Sequence, residues 1–261
     1  AKAREFLGFL PLNNKEKPPK IKTFDPIDRE DDYLESIVPP DSNLPYDMKQ
    51  VITTIVDDGN FFELMEDWAK NIVIGFARMD GETVCIIANQ PKELAGCLDI
   101  NSAVKAARLV RFSNAFNIPI ITLIDVPGFL VGTYQEHNGL IRNGAKLLFA
   151  YCEADTPKIA VTTRKSYGGA YCVLSSKHLR GDFNFAWPSA EIAVMGPEGA
   201  QKILTHGELG DGTVKEQEDI YRRKFATPLL AAERGFLDDV IEPKKTRSEE
   251  HTSNSSHVAI S

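Results

Sequence analysis

Residues 71–88 read Asn71-Ile-Val-Ile-Gly-Phe-Ala-Arg-Met79, then Asp80-Gly81, then Glu82-Thr-Val-Cys-Ile-Ile-Ala88. Two apolar runs of strand length separated by Asp-Gly are one of the strongest local signals for a β-hairpin, because Asp-Gly favours the tight turn that joins antiparallel strands. We therefore predict two antiparallel strands in this stretch, joined at Asp80-Gly81.

Downstream of the hairpin, helical and strand patterns alternate. The predicted helices cover Ser102–Asn117, Leu140–Glu153, Tyr171–Ser176, Pro197–Thr205 and Val214–Arg234. The predicted strands and extended segments cover Pro119–Val126, Lys158–Thr163, Phe183–Trp187, Ile192–Met195 and Phe236–Ile241. Repeated strand–helix alternation predicts a layered α/β domain.

The two ends of the chain differ in composition from this central region. Residues 1–45 are rich in proline and charge, which predicts an interdomain linker and lead-in. The predicted domain covers residues 46–246 and opens with two short helices between Met48 and Met65. Residues 247–261 are interpreted as a translated sequencing-adapter read-through, with a natural disordered tail as the alternative. Because the chain starts without Met or a signal peptide, we interpret it as a chain entered midway.

Composition excludes several classes of partner and site. The 261 residues include 37 acidic and 30 basic ones, so nucleic acid and anionic membranes are not expected partners. The most apolar stretch, Ile118–Ile124, is far shorter than the ~20 residues of a membrane span. The four cysteines form no C-x-x-C pair, which excludes a zinc ribbon and favours a reducing compartment, and we expect no metal.

Two glycine-bearing loops each follow a buried strand and open a helix. The first is Asp125-Val-Pro-Gly128-Phe-Leu-Val-Gly132, and the second is Arg164-Lys-Ser-Tyr167-Gly168-Gly169-Ala170-Tyr171. Backbone N–H groups at such positions can stabilise developing negative charge. As alternatives, Asp125 caps a turn shaped by Pro127-Gly128, and the second loop is a plain helix entry. A GTPase is excluded because G-x-x-x-x-G-K-[ST] does not occur.

Other catalytic templates are missing from the sequence. Neither H-E-x-x-H, G-x-S-x-G nor G-x-G-x-x-G is present, and His137, His178 and His206 are scattered. Cys172 follows the second loop and is interpreted as a pocket-lining residue, with a nucleophile as the alternative. Because no side-chain base is evident, the chemistry is expected to use positioned amides and a cofactor with its own reactivity.

Eight segments, which follow one another along the chain, resemble those of a known family. They are Asn89-Gln-Pro, Gly96-Cys-Leu-Asp-Ile-Asn101, Asp125-Val-Pro-Gly-Phe, Gly144-Ala-Lys-Leu-Leu, Arg164-Lys-Ser-Tyr-Gly-Gly-Ala-Tyr171, Ser175-Ser-Lys-His-Leu179, Ala186-Trp-Pro188 and Ala190-Glu-Ile-Ala-Val-Met-Gly196. Together they closely resemble the C-terminal domain of the carboxyltransferase (β) subunit of biotin-dependent acyl-CoA carboxylases, of the propionyl-CoA carboxylase type. The similarity covers roughly Phe6 to Arg247.

The resemblance implies a single domain with the crotonase-like (ClpP/crotonase) fold of ββα superhelical units. It implies a homohexamer in which an N-terminal carboxyltransferase domain binds acyl-CoA and this domain receives carboxybiotin from a biotin carboxylase/biotin carrier subunit. In that family the carboxybiotin releases CO2, the ureido anion removes the α-proton of the thioester, and the enolate attacks CO2. The expected compartment is a bacterial cytoplasm or the mitochondrial matrix.

The resemblance also implies roles for individual residues. The amides of Gly169 and Ala170 would hold the biotin ureido oxygen and are the expected catalytic groups. Phe129, Gly132, Tyr167 and Gly168 would bind the cofactor side. Cys172 would contact the acyl substrate, at a position where propionyl-type sequences often have Asp, which leaves acetyl, propionyl and butyryl chains open.

The acyl-CoA half of the family's subunit is missing from this sequence, so we predict no turnover by the chain alone. Phe6-Leu-Gly-Phe-Leu-Pro-Leu-Asn-Asn14 resembles the family's interdomain linker. The alternatives are the same domain in a biotin-dependent decarboxylase or a transcarboxylase, such as a methylmalonyl-CoA carboxyltransferase, and a non-catalytic assembly module.

Overall fold

The structure, a computed structural model, describes residues 2–204 and 213–249. The helices are α1 (Lys2–Leu7), α2 (Leu34–Ile37), α3 (Met48–Ile55), α4 (Ile100–Ala115), α5 (Thr133–His137), α6 (Leu140–Glu153), α7 (Gly168–Cys172), α8 (Pro197–Leu204), α9 (Val214–Phe225) and α10 (Pro228–Glu233). The strands are β1 (Phe62–Leu64), β2 (Ile72–Met79), β3 (Glu82–Asn89), β4 (Ile120–Val126), β5 (Lys158–Tyr167), β6 (Phe183–Ala186), β7 (Glu191–Ala193) and β8 (Asp239–Val240). The sequence predictions for His206 and for the tail beyond residue 249 lie outside the described residues.

One mixed sheet holds the fold together. Its strand order is β1-β2-β3-β4-β5-β6-β8, with β7 paired to the end of β5. The β2–β3 hairpin is antiparallel and turns at Asp80-Gly81, as predicted, while β3 to β6 and β8 run parallel. The predicted α/β class is therefore confirmed. Parallel pairing brings the carboxyl ends of β4 and β5, and the two glycine-bearing loops, to one edge of the sheet.

Helices cover both faces of the sheet, because alternate residues along a strand point to opposite sides. Ile72, Ile74 and Phe76 of β2 pack with α4 and α6, which contribute Leu109 and Leu147. On the other face, strand residues of the alternate set pack with α2 and α3. Both faces of the parallel strands are buried, as the continuous apolar run of β4 requires.

The terminal segments are tied to the domain at several points. Phe9 packs in the core on one face, and Leu34 and Ile37 pack in the core on the other. At the opposite end of the chain Arg247, which the predicted boundary placed in the tail, is 2% exposed. Its guanidinium donates to the carbonyls of Pro26 and Ile55 and to Asp57. A buried charge with three acceptors belongs to the packed part of the chain, so the packing of the described residues extends at least to Arg247.

Several predicted element bounds were wrong for physical reasons. The second short helix before Met65 is strand β1, because Phe62–Leu64 pairs with β2. The predicted helix over Val214–Arg234 is two helices, because Pro228 cannot donate an N–H inside a helix and instead begins α10. The predicted helix over Tyr171–Ser176 begins earlier, at Gly168, and β5 extends to Tyr167.

Candidate functional site

The candidate site lies where β5 ends and α7 begins. Gly168 starts α7 with a φ of +59°, and a Cβ at this position would lie 2.9 Å from the Val194 carbonyl oxygen. The backbone here therefore requires glycine, both for its left-handed conformation and for the close approach of the chain after β7. Gly168 thus gives clearance for the chain after β7, and its predicted role in binding the cofactor stays a prediction.

The next two residues, Gly169 and Ala170, differ in exposure. A Cβ at Gly169 would meet nothing within 4 Å, so the space in front of this residue is open. Ala170 is buried. The N–H groups in the first turn of a helix have no acceptor within the helix, which leaves the amides of Gly169 and Ala170 as donors at this point. The arrangement can hold a negatively charged oxygen beside Gly169.

Two cavities meet at this turn, and Gly169 and Cys172 line both of them. The first has a volume of about 430 Å³ and is also lined by Gly168, Val194 and Phe225. The second has a volume of about 330 Å³ and an almost wholly apolar wall. The α7 turn therefore forms part of the wall of both cavities, so two different ligand groups could approach it.

Phe129 and Gly132, the two candidate residues of the first loop, lie in different surroundings in the structure. Phe129 lines the second cavity and lies so close to Gly144 that a Cβ there would be 3.0 Å from the Phe129 ring. Gly132 is exposed at the start of α5 and lines neither of the two cavities. The structure therefore brings Phe129, but not Gly132, to the α7 turn.

Tyr167 is buried beneath the turn and lines neither cavity. Its hydroxyl donates a hydrogen bond to Glu191, which also lies near the guanidinium of Arg222. Burial, reinforced by the Glu191 carboxylate, raises the pKa of the Tyr167 phenol. Tyr167 therefore links the turn to β7 and α9 and is not a free donor in this structure.

Cys172 is half-buried on the wall shared by the two cavities. Burial raises the pKa of its thiol, which keeps the sulfur protonated and a poor nucleophile near neutral pH. This observation favours the pocket-lining interpretation of Cys172. His178 also lines the first cavity, with its ring 4.8 Å from that of Phe236.

Sequence reasoning missed a buried ion pair that joins the two loops. Asp125 Oδ2 lies 3.0 Å from Arg164 Nε, and the two side chains are 1% and 7% exposed. Burial raises the pKa of Asp125, while the Arg164 guanidinium opposes this shift. The available signal was a charged residue at the end of each apolar strand, because buried charges are normally paired. Which charge pairs with which depends on the strand order.

The described residues contain neither a metal-binding cluster nor a membrane-spanning helix. Within residues 2–204 and 213–249 no cluster of three or more His, Cys, Asp or Glu side chains is arranged to hold a metal ion. In the same residues no helix combines the length and apolarity needed to cross a membrane.

Comparisons with known proteins identify the family. The sequence profile described as "Carboxyl transferase domain" matches residues 1–259. The propionyl-CoA carboxylase beta chain of Roseobacter denitrificans is 56% identical over 248 residues, which are 95% of this chain and 49% of that protein. The methylmalonyl-CoA decarboxylase subunit alpha of Veillonella parvula is 54% identical over 247 residues, which are 95% of this chain and 48% of that protein.

A solved structure of a transcarboxylase 12S hexamer, with methylmalonyl-coenzyme A and methylmalonic acid bound, superposes with a TM-score of 0.94 at 44% identity. The match covers 99% of this chain and 50% of that one. The mixed α/β sheet and this match confirm the crotonase-like fold. The chain spans about half the length of the curated relatives it matches. With a family match over nearly its whole length, the chain belongs to the carboxyl transferase domain family.

Proposed function

We propose that the chain supplies the biotin-side half of a carboxyltransferase active site in a biotin-dependent acyl-CoA carboxylase. The site would move a carboxyl group from carboxybiotin to the α-carbon of a short-chain acyl-CoA, with propionyl-CoA favoured. The proposal rests on one observation above all: Gly169 faces open space on the first turn of α7, between two cavities. Family membership and the propionyl-CoA carboxylase relatives support the same activity.

The residues around the turn fit a biotin group. The second cavity is apolar, which suits the sulfur-containing ring of biotin, and Phe129 and Gly169 lie on its wall. When bound on its carrier protein, biotin supplies the transferable carboxyl group. The Gly169 and Ala170 amides would donate to the ureido oxygen and stabilise the charge that builds on it. Gly132 and Tyr167 stay predictions as cofactor-binding residues, and the hydroxyl of Tyr167 is already bound to Glu191.

The partners follow from the same proposal. An N-terminal carboxyltransferase half would hold the acyl-CoA, and a biotin carboxylase/biotin carrier subunit would deliver carboxybiotin. A homohexamer is the proposed assembly, in line with the hexamer of the transcarboxylase 12S structure. The compartment, a bacterial cytoplasm or a mitochondrial matrix, stays a prediction.

The first experiment joins this chain to the N-terminal half of the Roseobacter denitrificans relative and measures carboxyl transfer to acetyl-, propionyl- and butyryl-CoA. Gly169→Val should lower kcat at least ~100-fold, because the new side chain enters the open space where the oxyanion would lie. Gly199→Val is the matched control: this exposed glycine lies in the first turn of α8, and a Cβ there meets only Met195 Sδ at 3.8 Å.

Three outcomes of this experiment are informative. Transfer that survives Gly169→Val would contradict the assignment of the oxyanion site to this turn. The isolated chain should show no acyl-CoA-dependent turnover, because the proposal places acyl-CoA binding in an N-terminal half that this sequence does not include. The relative rates for the three acyl chains, compared with those of Cys172→Asp, show whether Cys172 selects the acyl group.

Decarboxylase or transcarboxylase activity is the second candidate function. It is favoured by the 54% identity to the Veillonella parvula decarboxylase subunit, almost equal to the 56% identity to the carboxylase beta chain. The same carboxyl-transfer step serves all three activities, and partner subunits set its direction. The assembled protein is mixed either with a biotin carboxylase partner and ATP or with a decarboxylating partner. Carboxylation of acyl-CoA in the first mixture indicates a carboxylase, and loss of CO2 in the second indicates a decarboxylase.

A further inference from the structure

The ladder between β4 and β5 is interrupted just before the α7 turn. The strands pair in register from Ile120↔Lys158 to Ile124↔Thr162, and the pairing resumes at Val126↔Ser166. One residue of β4, Asp125, therefore faces three residues of β5. Such bulges bend a strand and are common beside active sites. Because α7 begins two residues after Ser166, the shape of this bulge sets where the turn lies.

The three residues of β5 that face Asp125 are each bound to the end of β4. Asp125 Oδ1 accepts the backbone N–H of Lys165 at 3.0 Å, and Oδ2 accepts Arg164 Nε at 3.0 Å. The hydroxyl of Thr163 donates to the Ile124 carbonyl at 3.2 Å. The Asp125 carboxylate thus replaces the missing ladder bonds and fixes the bulge in one conformation.

Arg164 is held from its other side by the segment before α3. Its Nη1 donates to the Leu44 carbonyl at 2.8 Å, and its guanidinium lies 4.9 Å from the centre of the Tyr46 ring. Lys165 Nζ donates to the Ser42 carbonyl at 2.7 Å. Residues 42–46 therefore brace the bulge against the Asp125 loop.

We propose that Asp125 and Arg164 are positioning residues that set the location of the Gly169–Ala170 amides through this bulge. Both side chains are buried, and neither lines a cavity that Gly169 lines, so they act through the backbone. This inference rests on the proposed function for its effect on catalysis, but its effect on the turn can be measured without turnover.

A second buried pair provides a matched control at the opposite end of the sheet. Arg247 Nη2 lies 2.7 Å from Asp57 Oδ1, and these side chains are 2% and 7% exposed. Like Asp125, Asp57 also accepts backbone N–H groups, those of Asp80 and Gly81. The two pairs match in burial and bonding, but the Asp57 pair lies at the hairpin turn, far along the strands from α7.

The test compares Asp125→Leu/Arg164→Met with Asp57→Leu/Arg247→Met in the chain joined to the N-terminal half of its relative. Removing both charges of a pair avoids leaving one charge buried and unpaired. We expect the first double variant to lose about 100-fold or more in kcat with little change in KM for acyl-CoA, because small misplacements of catalytic groups have effects of this size. The control variant Asp57→Leu/Arg247→Met should keep kcat within about threefold of the unmodified assembly.

A conservative variant separates positioning from mere stability. Asp125→Asn/Arg164→Gln keeps acceptors and donors at the bulge while removing both charges, so it should recover at least about tenfold in kcat over the apolar variant. If the apolar variant keeps the stability of the unmodified assembly but not its kcat, that result also supports a positioning role. Equal losses of kcat in the Asp125 and Asp57 double variants would overturn it.

Amide hydrogen exchange gives a readout that needs no activity. In Asp125→Leu/Arg164→Met, exchange over residues 163–171 should accelerate about tenfold or more relative to residues 120–124. Unchanged exchange over 163–171 together with unchanged kcat would overturn the proposal. If the unmodified assembly transfers no carboxyl group, the proposed function fails, and the exchange comparison alone then decides whether the pair positions the turn.

Discussion

Gly168 and Gly169 are adjacent in the chain but are required for different reasons. Gly168 has a φ of +59° and a Cβ there would lie 2.9 Å from the Val194 carbonyl, whereas Gly169 has no such limits. The first glycine therefore serves the fold, and the second serves the space beside the turn. The sequence Gly-Gly-Ala cannot distinguish them, since both residues look the same until the backbone around them is known.

Single alanine substitutions should separate these two roles. Gly168→Ala should lower the free energy of unfolding by about 1–3 kcal/mol, because alanine is strained at this φ and meets a carbonyl oxygen. Gly169→Ala should change it by less than about 0.5 kcal/mol. Urea unfolding of both variants beside the unmodified chain measures the difference. Equal destabilisation by the two substitutions would show that the conformation assigned to Gly168 is incorrect.

At the scale of elements, Lys105 joins helix α4 to the turn between β1 and β2. Its Nζ donates to the carbonyls of Trp68 at 2.7 Å and Ile72 at 2.8 Å, and it lies 3.3 Å from the Ala69 carbonyl. The side chain is fully buried. Burial lowers the pKa of Lys105 to about 8, although the carboxylate of Glu63 opposes this shift.

This lysine predicts a particular pH dependence of stability. The folded chain loses the Lys105 proton at a lower pH than the unfolded chain, so between about pH 8 and 10.5 the unfolded state binds more protons. The unmodified chain should therefore gain up to about 3 kcal/mol relative to Lys105→Met as pH rises through this window. Urea unfolding of both proteins at pH 7, 8.5 and 10 measures this gain. A constant difference would mean that the three carbonyls keep the ammonium charged.

At the scale of the whole molecule, helix α6 exposes an apolar face beside the second cavity. Ile141 is 87% exposed and Phe149 is 57% exposed, and upstream Val131 and Tyr134 of α5 are exposed as well. Ile141 also lines the apolar second cavity, and large apolar side chains exposed beside such a cavity indicate an interaction site in a folded protein. Since the chain spans about half of its relatives, we expect the N-terminal half of a second copy to cover this face.

Ile141→Glu tests this expectation, because a carboxylate in an apolar contact would weaken assembly while leaving the fold of an exposed position unchanged. Light scattering of the chain joined to its N-terminal half should show a smaller species for Ile141→Glu. Leu229→Glu on α10, where the side chain is 62% exposed, is the control that should leave the assembly size unchanged. An unchanged size for Ile141→Glu would place the contact elsewhere.

Much of the fold could be predicted because its signals are local. The hairpin follows from Asp80 and Gly81, whose φ values of +51° and +75° are those of a tight turn between antiparallel strands. Helix α6 has its predicted bounds because an amphipathic period needs no distant contact. The break at Pro228 was also a local signal, and giving it more weight would have divided the helix over Val214–Arg234 correctly.

The candidate site could likewise be predicted only in part from the sequence. The succession of strands and helices along the chain, the two glycine-bearing loops and the resemblance to the family could be derived from the residues. Each of these depends on neighbouring residues or on motifs that follow one another along the chain. The Asp125–Arg164 pair, the bulge and the separate cavities beside Gly169 could not, because they join residues that are far apart in sequence. Such contacts exist only after parallel pairing of β4 and β5 brings two strand ends together, and no local energy in either strand specifies its partner.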